Sequence, residues 1–287
     1  MSTYVIMTDS SADISRELAA ELGVRVISLE VLMDDAAPVL NEQIDVKDFY
    51  KKLREKTKVT TSAVSIERFS EFMESILSEG KDLLYLGFSS ALSGTYNAGF
   101  VAARELGEKY PERTVATVDT LCASLGQGLL VYLAAKKQAE GASLAEVKEW
   151  VEANKLNLCH WFTVDDLFFL KRGGRVSSAT AVMGTMLSIK PVMHVDNAGK
   201  LINVAKARGR KGALDMLIEK MKATVIEPSS QTCFICHGDC LEDAEYVAKR
   251  MKEDLGVPEV IIDYTGPVIG AHSGPGTLAI FYLGTER

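Results

Sequence analysis

The chain lacks a hydrophobic run long enough to cross a lipid bilayer. The uncharged run at residues 120–135 is interrupted by Ser124, Gly126, Gln127 and Gly128. A membrane-spanning helix needs about 20 predominantly apolar residues. The first strand-like run begins near residue 4 without a charged segment and apolar core before it, so no secretion signal is indicated. We therefore expect a cytoplasmic protein.

An excess of basic residues is also missing. The chain has 32 lysines and arginines against 39 aspartates and glutamates, which gives a net charge of -7. Nucleic-acid binding needs a basic face that meets the phosphates, so we expect no nucleic-acid partner. A length of 287 residues is too great for one small core and favours two domains.

The five cysteines are few, and their number is odd. Without a secretion signal, an odd count is typical of reduced thiols. The segment Cys233-Phe234-Ile235-Cys236-His237 has the spacing of a haem attachment and, together with Cys240, of a zinc site. The segment also has the pattern of a strand, in which Cys233 and Cys236 point to opposite faces. We therefore expect neither a metal nor another cofactor.

Signatures of hydrolysis and of nucleotide binding are missing as well. The sequence has no Gly-x-Ser-x-Gly elbow, no Walker P-loop and no Gly-x-Gly-x-x-Gly motif after a strand-like run. The chain therefore lacks the usual parts for either chemistry.

Strand-like runs alternate with amphipathic helical patterns in the first half of the chain. This alternation predicts a parallel sheet covered by helices. In the second half, a turn at residues 195–200 separates two strand-like runs, which predicts a hairpin and a mixed sheet. The predicted fold class is α/β with two domains. Residues 1–156 form an N-terminal parallel-sheet α/β/α domain, and residues 157–287 form a C-terminal mixed α+β domain.

Two polar segments predict where helices begin. Ser143 precedes a helical pattern and is followed three residues later by Glu146, as in a capping box. Asp9-Ser10-Ser11-Ala12-Asp13 follows the first strand-like run. This segment is either an N-cap with an Asx turn or part of a ligand site, because the carboxyl ends of parallel strands cluster.

Three segments rich in hydroxyl groups and glycine indicate an anion site. The longest, residues 87–98, lies between a strand-like run and a helical pattern, where free backbone N–H groups can hold an oxyanion. Residues 60–62 and the loop at residues 272–277 have similar chemistry. Each segment alone is a common turn or cap. If they meet, we expect their hydroxyls and His272 to hold a phosphate or a carboxylate.

A cluster of basic residues and glycines, Lys171-Arg172-Gly173-Gly174-Arg175, follows an apolar segment. The glycines are typical of a helix C-terminus. Exposed arginines, in turn, suit oxyanion contacts or a docking surface. Both interpretations stay open at this point.

These motifs, taken in order, resemble the DegV family over nearly the whole chain. The resemblance is carried by residues 8–13, 61–62, 93–98, 172–175, 190–191 and 272–276. That family contains the fatty-acid-binding subunits of bacterial fatty acid kinase. The resemblance implies a lipid-binding subunit of phospholipid metabolism, not an enzyme on its own, that holds a long-chain fatty acid between two α/β domains. It further implies a separate kinase subunit that uses ATP to form a bound acyl phosphate, and at most transient membrane contact.

The resemblance also implies roles for individual residues. The ligand-binding positions that it implies are Thr61, Ser62, Ser93, Gly94, His272 and Ser273. The positions that it implies for the kinase interface are Arg172, Arg175 and Arg208. Thr61, Ser93 and His272 are expected to hold the carboxylate itself. The family usually has Gln-Pro after Thr-Ser, whereas this chain has Ala63-Val64, so we expect a different local shape there.

A second function hypothesis is a self-sufficient phosphotransfer enzyme with His272 as phospho-acceptor. The missing nucleotide-binding loop favours the lipid carrier over this alternative. The uncharged segment at residues 176–189 is predicted either to line an acyl tunnel or to be ordinary core.

Overall fold

The computed structural model of the protein describes residues 4–177 and 189–287. Thirteen strands lie in these two ranges. The strands are β1 (Tyr4–Asp9), β2 (Arg25–Ile27), β3 (Glu30–Met33), β4 (Val39–Leu40), β5 (Val59–Ser62), β6 (Asp82–Gly87), β7 (Val115–Asp119), β8 (Leu158–Thr163), β9 (Ile189–Val195), β10 (Leu201–Arg208), β11 (Thr232–His237), β12 (Glu259–Tyr264) and β13 (Leu278–Leu283).

Ten α-helices lie in the same described ranges. The helices are α1 (Arg16–Glu21), α2 (Val46–Arg54), α3 (Ile66–Ser78), α4 (Thr95–Lys109), α5 (Leu125–Ala139), α6 (Leu144–Asn154), α7 (Leu167–Arg172), α8 (Gly209–Thr224), α9 (Leu241–Leu255) and α10 (Pro267–Ser273). Ser143 and Glu146 form the predicted capping box at the start of α6. Within the described part of the chain, no helix is both long and apolar enough to cross a membrane.

The first sheet contains four parallel strands in the order β2-β1-β6-β7. Its central strands are buried on both faces because helices cover both sides. Ile6 and Leu84 pack in the core formed with α5, whereas Met7 and Tyr85 pack in the core formed with α3. The parallel, helix-covered sheet predicted for the first half of the chain is therefore confirmed.

A small antiparallel sheet in the order β4-β3-β5 was not expected from the sequence pattern. Its strands are short, and β4 contains only two residues. The prediction that residues 60–62 form a loop is wrong, because they belong to β5 and pair with β3. Side-chain alternation along β5 exposes Ser62 and leaves Thr61 half-buried.

The second large sheet is mixed, with the strand order β10-β9-β8-β13-β11-β12. Only β11 and β12 pair in parallel, and the predicted hairpin joins β9 to β10. Along β11, Cys233 faces the core formed with α8 and α9, while Cys236 faces the core formed with α5. The predicted opposite orientation of these two cysteines is confirmed.

Helix α5 lies between the two large sheets and packs against β1 and β6 of one and β8, β11 and β13 of the other. Gly126 on this helix permits a close approach, since a Cβ atom there would collide with the His160 ring on β8. The division of the chain at residue 156 stays a prediction, because α5 belongs to the packing of both sheets.

The chain around His272 is a helix and not the loop that its glycines and proline indicate. Helix α10 begins with Pro267 and ends at Ser273, so His272 lies in its last turn. Pro267 suits the first helical position because its missing N–H would have no partner there. Helix α10 packs against β5 and α7. This packing brings together three segments that the sequence analysis singled out, namely residues 60–62, 171–175 and 272–277.

Candidate functional site

An apolar cavity lies where α10, α7 and the second large sheet meet the carboxyl ends of β6 and β7. It encloses about 970 Å³ of space outside protein atoms, with the open solvent at its mouth included. Its apolar wall includes Phe162, Leu201 and Phe281 from the sheet and Val268 from α10. Cavities that bind small ligands are similarly apolar, with a few polar groups.

The polar end of the cavity contains Thr61 and His272, which the sequence analysis placed together. A hydrogen bond of 2.8 Å joins Thr61 Oγ1 to His272 Nε2. Gly173 lies against the same ring, since a Cβ atom at that position would collide with His272 Nδ1. The glycine thus allows the end of α7 to close over the histidine.

His272 is a neutral imidazole at physiological pH. Its pKa is lowered from 6.5 to about 4, mainly by burial and additionally by the positive charges of Arg175 and Arg172. A neutral imidazole has one donor and one acceptor nitrogen. The residue can therefore share a hydrogen bond with Thr61 and also contact a ligand oxygen without adding a full positive charge.

Ser93 and Gly94 lie at the N-terminus of α4 and also line the cavity. The Ser93 hydroxyl accepts a hydrogen bond from the Thr95 N–H at 3.2 Å and lies 2.9 Å from the Thr95 hydroxyl. The N-terminus of a helix carries partial positive charge and unpaired N–H groups. This end of the cavity is therefore suited to an oxyanion.

The predicted ligand residues do not all reach the cavity. The members that line it are Thr61, Ser93, Gly94, His272 and Ser273. Ser62 is exposed and lies outside the cavity wall, because it follows Thr61 on an alternating strand. Its neighbour Ala63 lines the cavity, and Val64 is buried.

The three predicted kinase-facing arginines occupy two different environments. Arg172 and Arg208 are exposed, and the Arg172 guanidinium stacks on the Phe169 ring at 4.7 Å. Arg175 is instead half-buried at the cavity, and its Nε donates to the Leu92 carbonyl at 3.2 Å. The expectation of an exposed arginine at position 175 is therefore wrong.

Asp9 supports the fold of the loops that surround the cavity. It is fully buried and accepts hydrogen bonds from the Ser11 N–H, the Tyr85 hydroxyl and the Phe88 N–H. The first of these bonds is the predicted N-cap, here on a short 3-10 helix. The other two tie β1 to β6 at the point where the first sheet ends.

Asp13 and Ser124 form a buried polar pair that the sequence analysis did not find. The Ser124 hydroxyl donates to Asp13 Oδ2 at 2.5 Å, and Ser124 also lines the cavity. Burial raises the pKa of Asp13 from 3.8 to about 8. The two residues lie 111 positions apart, so local sequence patterns carry no signal of the contact.

The suggested acyl-tunnel segment at residues 176–189 falls mostly outside the described residues. Leu170 before it and Val195 after it both line the cavity. The role of the segment stays a prediction.

A family model described as uncharacterised proteins of the DegV family matches residues 3–285. The chain belongs to the DegV family. A DegV domain-containing protein of Clostridium perfringens is 48% identical over 289 residues, which cover 100% of this chain and 99% of the relative. The resemblance on which the sequence analysis relied is confirmed.

Solved structures of DegV proteins share the fold. A DegV lipid-binding protein from Thermotoga maritima is 30% identical, with a TM-score of 0.87 and full coverage of both chains. A DegV family protein from Thermus thermophilus, described by its fatty acid binding, is 31% identical with a TM-score of 0.86. That match covers 98% of this chain and 99% of the other. The two-domain α/β fold class predicted from the sequence agrees with these DegV structures.

Proposed function

We propose that the protein binds a long-chain fatty acid in the apolar cavity, with the carboxylate at Thr61, Ser93 and His272. The observation that carries the proposal is an apolar cavity that ends at small neutral donors and a helix N-terminus. DegV proteins of the same fold are described as binding lipid or fatty acid, which supports it.

The energetics of such a site favour an acyl chain. Each buried methylene contributes about 0.8 kcal/mol, so the tail supplies most of the affinity. The contacts to the carboxylate then need to orient the head group more than they need to add affinity. A neutral His272 and two hydroxyls provide the hydrogen bonds that orient the carboxylate.

We further propose that the bound carboxylate is presented to a separate ATP-dependent kinase subunit, which leaves an acyl phosphate on this protein. Exposed Arg172 and half-exposed Phe168 lie on α7, next to the polar end of the cavity. Arg208 at the end of β10 is also exposed. Arg172 and Phe168 are suited to a docking surface beside the polar end of the cavity, and Arg208 is the third position that we propose for the kinase interface. The alternative of a phosphotransfer enzyme acting through His272 stays a prediction.

The first test is the lipid content of the purified protein. We expect organic extraction and mass spectrometry to recover a fatty acid, and the delipidated protein to bind palmitate or oleate. Buried apolar chain length should dominate affinity, so an eight-carbon acid should bind much more weakly than either. Absence of extracted fatty acid together with no binding of the added acids would contradict the proposal.

The second prediction concerns the carboxylate contacts. Thr61→Ala and Ser93→Ala should each weaken fatty-acid binding by about 0.5–1.5 kcal/mol, the usual net contribution of one hydrogen bond. Kinase-dependent phosphorylation should fall further than binding, because the tail still anchors a misoriented head group. Thr60→Ala, on the exposed face of the same strand, is the control. Full acyl-phosphate formation by the double variant would remove these residues from the site.

The third prediction separates partner contacts from ligand contacts. Arg172→Ala should slow association with the kinase and reduce its salt dependence, because rim charges act mainly on association. Fatty-acid affinity should stay within about 1 kcal/mol of wild type, as for a surface substitution. The measurements are two titrations of the same variant, with Arg104→Ala on exposed α4 as the control. Loss of fatty-acid binding with intact kinase binding would assign Arg172 to the ligand.

A further inference from the structure

Two buried hydroxyl groups on the cavity wall have no oxygen or nitrogen hydrogen-bond partner among the described residues. They are Thr265 Oγ1 and Ser273 Oγ. Thr265 is fully buried and Ser273 is 5% exposed. Buried hydroxyls in proteins are almost always paired, because an unpaired one loses its hydrogen bonds to water without replacement. Both groups line the cavity, so a ligand bound there can supply the partners that they lack.

The two hydroxyls lie at opposite ends of helix α10. One face of the helix lines the cavity with Val268, Ile269 and His272, so a chain bound at His272 can run along it. Ser273 is next to His272, where the proposed carboxylate supplies a partner. Thr265 lies two residues before the first residue of α10, and the five residue steps from Pro267 to His272 span about 7.5 Å at the rise of a helix. With the two preceding residues included, this separation corresponds to roughly six to eleven carbons of a zigzag chain with C–C bonds of about 1.5 Å.

Thr265 has polar neighbours at the same part of the wall. Its N–H donates to the His237 carbonyl at 2.8 Å, which places Thr265 beside the end of β11. On β11, the Sγ atom of Cys236 lies 3.3 Å from the hydroxyl oxygen of Ser124. The Ser124 proton is donated to Asp13, so the Ser124 oxygen can still accept a hydrogen bond.

Ser124 is held at this wall in an unfavourable backbone conformation. Its φ is 55° and its ψ is -148°, a region that glycine occupies far more readily than other residues. Such strain persists where the surrounding structure determines it, and it is often found at functional positions. A serine hydroxyl is thus kept here although the backbone favours glycine.

We propose that the cavity takes a fatty acid that carries an oxygen substituent near the middle of its chain, with Thr265 and Ser124 as the hydrogen-bond partners of that oxygen. The inference rests on the proposed fatty-acid function and specifies its substrate class. A hydroxyl group fits best, because it can accept from Thr265 and donate to the Ser124 oxygen. An unsubstituted chain leaves the Thr265 hydroxyl with only the Cys236 thiol, a weak hydrogen-bond partner, beside it.

The test is competition for the delipidated protein between octadecanoic acid, its 9-hydroxy and 10-hydroxy derivatives, and its 2-hydroxy derivative. At least one mid-chain hydroxy acid should bind about tenfold more tightly than the parent acid, as one net hydrogen bond predicts. The 2-hydroxy acid should show no such gain, because its hydroxyl lies beside the carboxylate.

Two matched variants make the result specific. Thr265→Val keeps the side-chain shape and should bring the ratio of the two affinities, mid-chain hydroxy acid against parent acid, to about one. Thr163→Val removes another fully buried hydroxyl without a partner in the described structure, at a position outside the cavity wall, and should keep the preference. Equal affinity of the wild type for parent and hydroxy acids, or a preference that survives in Thr265→Val, overturns the inference. Failure of every acid to bind would instead overturn the proposed function.

Discussion

Replacing Ala279 with phenylalanine is expected to abolish binding of long-chain fatty acids while the protein stays folded. Ala279 lies on β13, opposite Phe162 of β8, and its small side chain forms part of the cavity wall. A phenyl ring there would occupy space that the acyl chain needs. Exclusion of three or more methylenes at about 0.8 kcal/mol each corresponds to a loss of roughly 100-fold in affinity.

The measurement is a titration of delipidated wild type and Ala279→Phe with oleate, together with thermal unfolding of both. The added ring enters apolar space, so the unfolding temperature should stay within about 4 °C of wild type, the shift that 1 kcal/mol produces. Ala37→Phe, at an exposed position between β3 and β4, is the control for the ring itself. Unchanged oleate affinity in Ala279→Phe would place the acyl chain elsewhere in the protein.

Elements with strong periodicity were predictable from the sequence alone. The strands of the parallel sheet are apolar runs between amphipathic helices, and both faces of that sheet are buried. The hairpin of β9 and β10 has a turn whose Asp196 accepts from the Ala198 and Lys200 N–H groups. Such local signals are complete within a few residues, so a sequence pattern is enough to find them.

Short elements were missed because their stability comes from tertiary contacts. The small sheet of β3, β4 and β5 is too short for a periodic pattern. Helix α10 contains Gly270, which weakens helix propensity, but a Cβ atom there would collide with the Tyr50 hydroxyl. The packing of α10 against α2 therefore determines a helix that propensity alone does not.

The sequence predicted the hydroxyl groups of the candidate site, but not the buried polar residues in its wall. Thr61, Ser93 and His272 belong to segments whose composition is unusual, and the family resemblance added their order. Thr265 has no such local signal, and the segment that contains Asp13 gives no indication of its contact with Ser124. Their properties depend on burial by segments that lie far away in the chain, which only the folded structure brings together.

Asp13 should make the stability of the protein depend on pH in a direction opposite to that of most carboxylates. Its pKa is raised from 3.8 to about 8, mainly by burial and to a smaller extent by the charges of Asp263 and Asp9. Hydrogen bonds from Ser124 and the Gly266 N–H lower it but do not offset the burial. Between about pH 4 and pH 8 the folded protein therefore holds a proton that the unfolded chain has released.

The free energy of unfolding should consequently fall as the pH rises through that window. One proton bound only by the folded state gives a slope of about 1.4 kcal/mol per pH unit. Below pH 4 both states are protonated at Asp13, and above pH 8 both are ionised, so its contribution to the slope ends at these limits.

Asp13→Asn should remove this contribution, because the amide has a similar shape and does not titrate. The variant should gain stability relative to wild type steadily from pH 5 to pH 8, as measured by urea unfolding at each pH. Asp35→Asn, at an exposed position, should keep the wild-type pH dependence. Asp9 is present in both proteins, so its titration cancels in the difference between their unfolding free energies as long as it is independent of Asp13.

Parallel curves of stability against pH for wild type and Asp13→Asn would mean that Asp13 is ionised in the folded protein. Its hydrogen bond to Ser124 would then stabilise a buried charge, and the Ser124 oxygen would face the acyl chain beside an anion.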